Sequence, residues 1–219
     1  METIIKLWSQ YHSVFLEGLS GTLWLAAITV FFGTIVGVIV AMMRMSKVKI
    51  LNFIVVAYTN ILRGTPVLLQ LYFFWLLLPK VVPIELSDTV CIIIALIVNS
   101  SSYISEIIRA GIEAVDRGQW EAGRSLGLSE KNLFMKVVFP QCIKNILPAL
   151  VNQFIMMVKE TSLASIFFVG ELMTSYKTVQ STTFLSIQPL IIAGFIYYIV
   201  TTVLTFVVNI IEKRMKKSD

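Results

Sequence analysis

Along this chain of 219 residues, long uncharged stretches alternate with short charged ones. Gly18 to Met43 contains no charged side chain, and its length exceeds the roughly 20 residues a helix needs to cross about 30 Å of hydrocarbon. It is too long, and too weakly basic at its front, for a cleaved signal peptide. Four further apolar stretches follow, so the pattern predicts five transmembrane helices in a single all-α integral membrane domain, with spans at about 18–43, 50–79, 89–105, 145–170 and 187–211. The second is interrupted by Arg63-Gly64-Thr65-Pro66. Proline removes a backbone donor and turns the residue before it away from helix, so this segment reads either as a hinge beside a pathway or as the inner start of the span. Pro79 to Pro83 reads as an outer turn, and Glu171 to Ser186 as an outer connection.

The basic residues orient the bundle. Arg44, Lys47 and Lys49 follow the first span directly, six more lie between Arg109 and Lys144, and four close the chain. On the positive-inside tendency those segments are cytoplasmic. They hold 13 of the 18 Lys and Arg residues, against three in the segments assigned outside. The N-terminus is therefore expected outside and the C-terminus in the cytoplasm, with a cytoplasmic loop over 106–144 between helices 3 and 4.

Composition narrows the chemistry. With 57% apolar residues and 14% charged, the chain is neither an ordinary cytosolic enzyme nor a disordered tail. The net charge of +5 resides in loops rather than on an aromatic platform, which argues against nucleic acid as a partner and leaves membrane lipid. A single histidine, His12, excludes a histidine triad or a multi-histidine metal site. Cys91 and Cys142 fall on opposite sides of an apolar span, too far apart for a bond whose Cα atoms must approach within about 7 Å, and read as packing residues. No Gly-rich phosphate loop ending in Lys-Ser or Lys-Thr is present, and no internal repeat is visible.

The 106–144 loop carries the strongest motif. Gly118 to Lys131 divides into two short helices, with Gly127 suited to a left-handed stop and Ser129 to an N-cap. Glu121, Arg124 and Ser125 share an edge, and Trp120 and Leu126 are apolar anchors of the kind that fill a partner's pocket. Glu121-Ala122-Gly123, then Gly127, then Val137-Val138-Phe139-Pro140, resembles the loop signature of the membrane (permease) subunits of bacterial ATP-binding cassette importers of the binding-protein-dependent type. Gly123 stands where that pattern has a second alanine, an exchange costing about 1 kcal/mol in a helix interior. Arg63 to Pro66, Tyr103 with Glu106 and Arg109, Gly118-Gln119, Pro140-Gln141, Leu147-Pro148 and Lys159-Glu160-Thr161-Ser162-Leu163 resemble the polar amino acid branch, in which Glu160 is more often aspartate. The resemblance implies a bacterial inner-membrane permease working as a homodimer or beside a related permease chain. It further implies two cytoplasmic ATPase subunits carrying ATP and Mg, no cofactor on this chain, and an extracytoplasmic solute-binding protein. ATPase coupling would fall to Glu121, Ala122, Gly123 and Gly127.

Two polar faces lie inside the spans. Lys159 and Glu160 sit in the fourth, where a lone central charge costs about 2.5–3.5 kcal/mol and needs a partner or water. Adjacent helical residues point about 100° apart, so Lys159 is expected to pair within the protein while Glu160, Thr161 and Ser162 border a pathway. Asn99 and Ser102 share a face of the third span with Tyr103 and Glu106. These groups could meet both ends of a zwitterionic amino acid, or they could form interhelical hydrogen bonds alone. The leading reading is the translocation subunit of an ATP-driven amino acid importer. A self-sufficient secondary transporter or channel is the alternative, and an intramembrane enzyme is weak because no nucleophile and base pair is visible.

Overall fold

The computed structural model describes residues 1–216, with side chains as far as Lys213; Lys217, the last residue of the basic C-terminal cluster, lies outside the described residues. Helix and turn account for the regular structure there, with no strand among the described residues. Helix α1 spans Glu2–Arg44 and α2 Lys49–Gly64. Val67–Val81 forms α3, and Asp88–Glu113 forms α4. The 106–144 segment supplies α5 at Arg117–Ser125 and α6 at Glu130–Leu133. A π-helical turn over Phe134–Val138 leads into α7, Phe139–Glu160, which tightens into a 3-10 helix at Thr161–Phe167. Helices α8, Leu172–Thr183, and α9, Ile187–Lys216, complete the chain.

Among the described residues four stretches are long and apolar enough to cross a membrane, and the α2–α3 pair makes a fifth if it counts as one bent span. The apolar pattern located these segments but not their ends. The first helix starts at Glu2 rather than Gly18, because nothing from Glu2 to Glu17 breaks a helix; at about 1.5 Å per residue it is some 64 Å long. The third span continues to Glu113 rather than stopping near Ser105. Its charges need no break there: Arg109 pairs with Glu106 at 2.8 Å one turn back and with Glu113 at 2.6 Å one turn on. The 106–144 segment is therefore mostly helical. Glu171 to Ser186 is not a plain connection either, since it forms α8 with Leu172 and Val179 buried. Helix α3 likewise runs through Pro79 to Val81.

Helix α1 is the mast against which α4, α7, α8 and α9 pack. Gly33 and Gly37 lie against Ser100 and Ile104 of α4, the small-residue contact that lets membrane helices approach closely. Near the end of α4, Ile104, Ile108 and Val115 join Leu133, Val138, Cys142 and Ile146, which ties the coupling region to α7. Cys91 and Cys142 are both buried and unbonded to each other, as packing residues.

The break at Pro66 bends α3 by 112° from α2. Pro66 has no N–H to offer the Leu62 carbonyl, its partner four residues back. The Gln70 side chain fills that role: Nε2 donates to Leu62 O at 2.7 Å and to the Thr65 carbonyl and hydroxyl at 3.1 and 2.9 Å. Asn99 of α4 donates to Gln70 Oε1 at 2.9 Å, which fixes the amide's orientation. Gln70→Leu is expected to cost about 1–3 kcal/mol, because buried carbonyls lose their donor. Thermal unfolding of the detergent-solubilised chain, compared with an exposed Gln119→Leu variant, checks this; equal transitions would show the bend is held by packing alone.

Candidate functional site: the coupling elbow and the intramembrane cleft

The elbow between α4 and α7 is built by local capping. Asp116 caps α5 by accepting from Gly118 N at 2.6 Å. The helix ends with Leu128 N donating to Gly123 O at 3.1 Å and Gly127 N to Arg124 O at 2.9 Å, and Gly127 has φ of 75°. That double bond with a left-handed glycine is a Schellman stop. Ser129 then caps α6 through Asn132 N at 3.4 Å. The Ser129 cap and the Gly127 stop fall where the sequence placed them; the Asp116 cap is shown by the structure alone.

The two faces of α5 differ. Gly123 is buried against Leu133, and a Cβ there would collide with Leu133 Cδ1. The glycine that departs from the alanine of the family pattern is thus the residue that lets α5 seat on α6. Trp120 does not point outward as an anchor: it is half-buried, 6.4 Å from the Phe134 ring and beneath the Arg124 guanidinium at 5.9 Å. Arg124 reaches past Glu121 to Glu130, with Nε at 2.8 Å from Oε1. That hydrogen bond, first, and the guanidinium charge hold the Glu130 carboxyl below its ordinary range. The clasp therefore persists from neutral pH down through the ordinary carboxylate range and is lost only as pH falls through the lowered value. Glu121 and Ala122 stay on the exposed face, beside Leu126, which is 81% exposed.

Within the bundle the six pathway candidates separate. Asn99 and Ser102 are fully buried, Ser102 donating to the Asn99 carbonyl at 2.7 Å and Asn99 to Gln70. Thr161 is also fully buried, its hydroxyl donating to Val158 O at 2.9 Å. Lys159 and Ser162, by contrast, line a cleft of about 480 Å³ with Ser165, Met173 and Tyr197. The expected division is reversed for Lys159 and Thr161. Thr161, two residues on from Lys159, points to the opposite side in either winding, and the three-residue period of the 3-10 helix stacks Ser162 and Ser165 in one row above Lys159. Glu160 is half-buried beside them.

Sequence reasoning missed one charged residue here. Glu171 is wholly buried, and its carboxylate accepts from Met173 N at 2.9 Å, Thr174 N at 2.6 Å, Thr174 Oγ1 at 3.1 Å and Tyr197 Oη at 3.0 Å. Next to it, Leu172 N donates to Thr22 Oγ1 of α1 at 3.0 Å. Helices α1, α8 and α9 are pinned at this point, and Tyr197 belongs to both the pin and the Lys159 cleft. The available signal was a lone carboxylate between Glu160 and Lys177, a stretch otherwise without charge.

Residues 33–217 match the family described as "Binding-protein-dependent transport system inner membrane component". The chain belongs to this family. It is thus a multi-pass inner-membrane permease subunit of an ATP-binding cassette importer. It is 36% identical over 204 residues to the arginine transport system permease protein ArtQ of Bacillus subtilis, covering 93% of each chain. It is also 36% identical over 214 residues, 98% of each, to a putative glutamine transport system permease protein GlnP of Rickettsia conorii. A solved amino acid ABC transporter "with histidines" has a chain superposing with a TM-score of 0.89 at 37% identity, covering 94% of this chain and 96% of that one. A methionine ABC transporter, MetNI, matches in fold at a TM-score of 0.68 and 19% identity. In such importers the permease is not itself the ATPase.

Proposed function

We propose that this permease subunit carries polar amino acids, as a homodimer or paired with a related chain, across five spans with its N-terminus outside and its C-terminus in the cytoplasm. Two ATPase subunits that bind ATP and Mg grip the exposed face of α5 through Glu121, Ala122 and Gly127, with Gly123 seating the helix. An extracytoplasmic binding protein delivers the solute. The observation that carries this reading is the elbow itself: a short capped helix with Glu121 and an 81%-exposed Leu126 on its outer face, fastened to α7 by Leu133 and Trp120. A rigid elbow of that kind transmits a partner's closure as a body rather than absorbing it.

The pathway runs past Lys159, Glu160 and Ser162. The ammonium and hydroxyl supply donors for a carboxylate, and Glu160 supplies an acceptor for an ammonium. Asn99, Ser102 and Thr161 support that wall from inside by holding the α3–α4 contact and the turn into the 3-10 helix. The relatives named for arginine and glutamine transport support amino acid cargo. Lys159→Met, with ATPase subunits and binding protein assembled, is expected to lower uptake at least about tenfold, the equivalent of one charge-assisted hydrogen bond. Uptake of radiolabelled glutamine and arginine into proteoliposomes checks it; parental rates for both would remove Lys159 from the pathway.

A further inference from the structure

Helix α7 carries more than the Lys159 motif on its exposed side. Asn145, Asn152 and Lys159 are all exposed and stand seven residues apart. Seven residues advance about 10.5 Å and drift only about 20° around an α-helix. The three polar side chains therefore form one nearly straight stripe about 21 Å long on a membrane-crossing helix. Polar groups at such depth face a water-lined cavity or another protein surface rather than lipid.

The lower end of this stripe is the floor of a second cleft, of about 530 Å³. Gly111 of α4 and Ala114 just beyond its end form one wall, Glu212 of α9 reaches it from the other side, and Lys144, Asn145, Ala149 and Asn152 form the floor. Small residues at 148 and 149 leave space between the two carboxamides. Asn145 Nδ2 makes one long bond, 3.3 Å, to the Gly111 carbonyl, so the rest of its donor and acceptor capacity is open to a ligand. Carboxamide N–H groups suit a carboxylate, and the Glu212 carboxylate with the carboxamide oxygens suits an ammonium. Met156, 43% exposed, stands on the same face between this cleft and Lys159.

We infer that the Asn145–Asn152 cleft is a second, release-side station for a zwitterionic amino acid, one stage closer to the cytoplasm than Lys159. This rests on the pathway reading of Lys159. Solute leaving Lys159 passes Met156 into a cleft where the Asn145 and Asn152 carboxamides stand with the charged groups of Lys144 and Glu212.

Thiol accessibility in the assembled transporter tests it. In a Cys91→Ala, Cys142→Ala background, Asn145→Cys, Asn152→Cys, Lys159→Cys and Phe195→Cys are treated with a membrane-impermeant charged thiol reagent from the cytoplasmic side of inverted vesicles. Phe195, 62% exposed on α9, is the lipid-facing reference. The Asn145 and Asn152 variants are expected to react far faster than the Phe195 variant and to be slowed by a mixture of L-glutamine and L-arginine. Asn152→Leu is expected to lower uptake about tenfold, the loss of one good hydrogen bond, while Asn152→Gln restores most of it. Reaction at Lys159 without reaction at Asn152, or a spontaneous disulfide between Asn152→Cys copies, would make this face a protein contact and overturn the inner station alone. Absence of reaction at all three stripe positions would overturn the pathway reading with it.

Discussion

A transporter assembled with Glu121→Lys is expected to lose its ATPase subunits during purification in detergent, while the permease itself unfolds at the parental temperature. Glu121 is on the exposed face of α5, so reversing its charge disturbs no packing inside the chain. A hot-spot side chain at a protein docking surface carries about 2–4 kcal/mol, and reversal of its charge adds repulsion to the lost contact. The affinity falls at least about 30-fold, and uptake falls with it. Copurification of tagged permease with its ATPase, read beside the melting curve, separates docking from folding. Unchanged copurification would show that the partner grips elsewhere on the elbow.

The second large effect is expected from Glu171→Leu. Leucine fills the volume but leaves Met173 N, Thr174 N and the Tyr197 hydroxyl without this acceptor, while the Thr174 hydroxyl keeps the Val169 carbonyl at 2.6 Å. A buried donor stranded in this way costs about 1–3 kcal/mol, and three of them together make about 3 kcal/mol or more after relaxation. The variant should unfold at clearly lower temperature, with α8 losing protection in hydrogen exchange before α4 does. Glu171→Gln retains an acceptor oxygen for two of the donors and should fall between the two. Equal stability of the leucine variant would mean that α8 is held by Leu172 and Val179 alone.

How far the sequence could be read depended on the physics behind each element. Gly127 and Ser129 were legible because a left-handed stop and an N-cap are demanded locally, within four residues. The spans were legible because an uncharged run long enough to cross a bilayer has few other fates. Their ends were not: Glu106, Arg109 and Glu113 look like a departure into water until the helix that pairs them along one face is known. Gln70 was invisible for a related reason. Its task, replacing the N–H that Pro66 lacks, exists only once the 112° bend has brought its amide back to Leu62. Lys159 was found by its motif but not the side it faces, because which face of α7 turns toward the bundle is a tertiary choice with no local signal to announce it. Gly123 reversed in meaning: a weakness for an isolated helix is the condition for α5 to lie against Leu133.

Energetic dependence on a partner is the centre of this account, and flux in proteoliposomes addresses it most directly. Vesicles containing the permease alone are expected to take up no labelled glutamine or arginine above the empty-vesicle background, with or without an ion gradient. Adding the ATPase subunits, the binding protein, ATP and Mg should start accumulation against a gradient, and a nonhydrolysable nucleotide should not. Sustained uptake by the permease alone would contradict the account and establish a self-sufficient transporter instead.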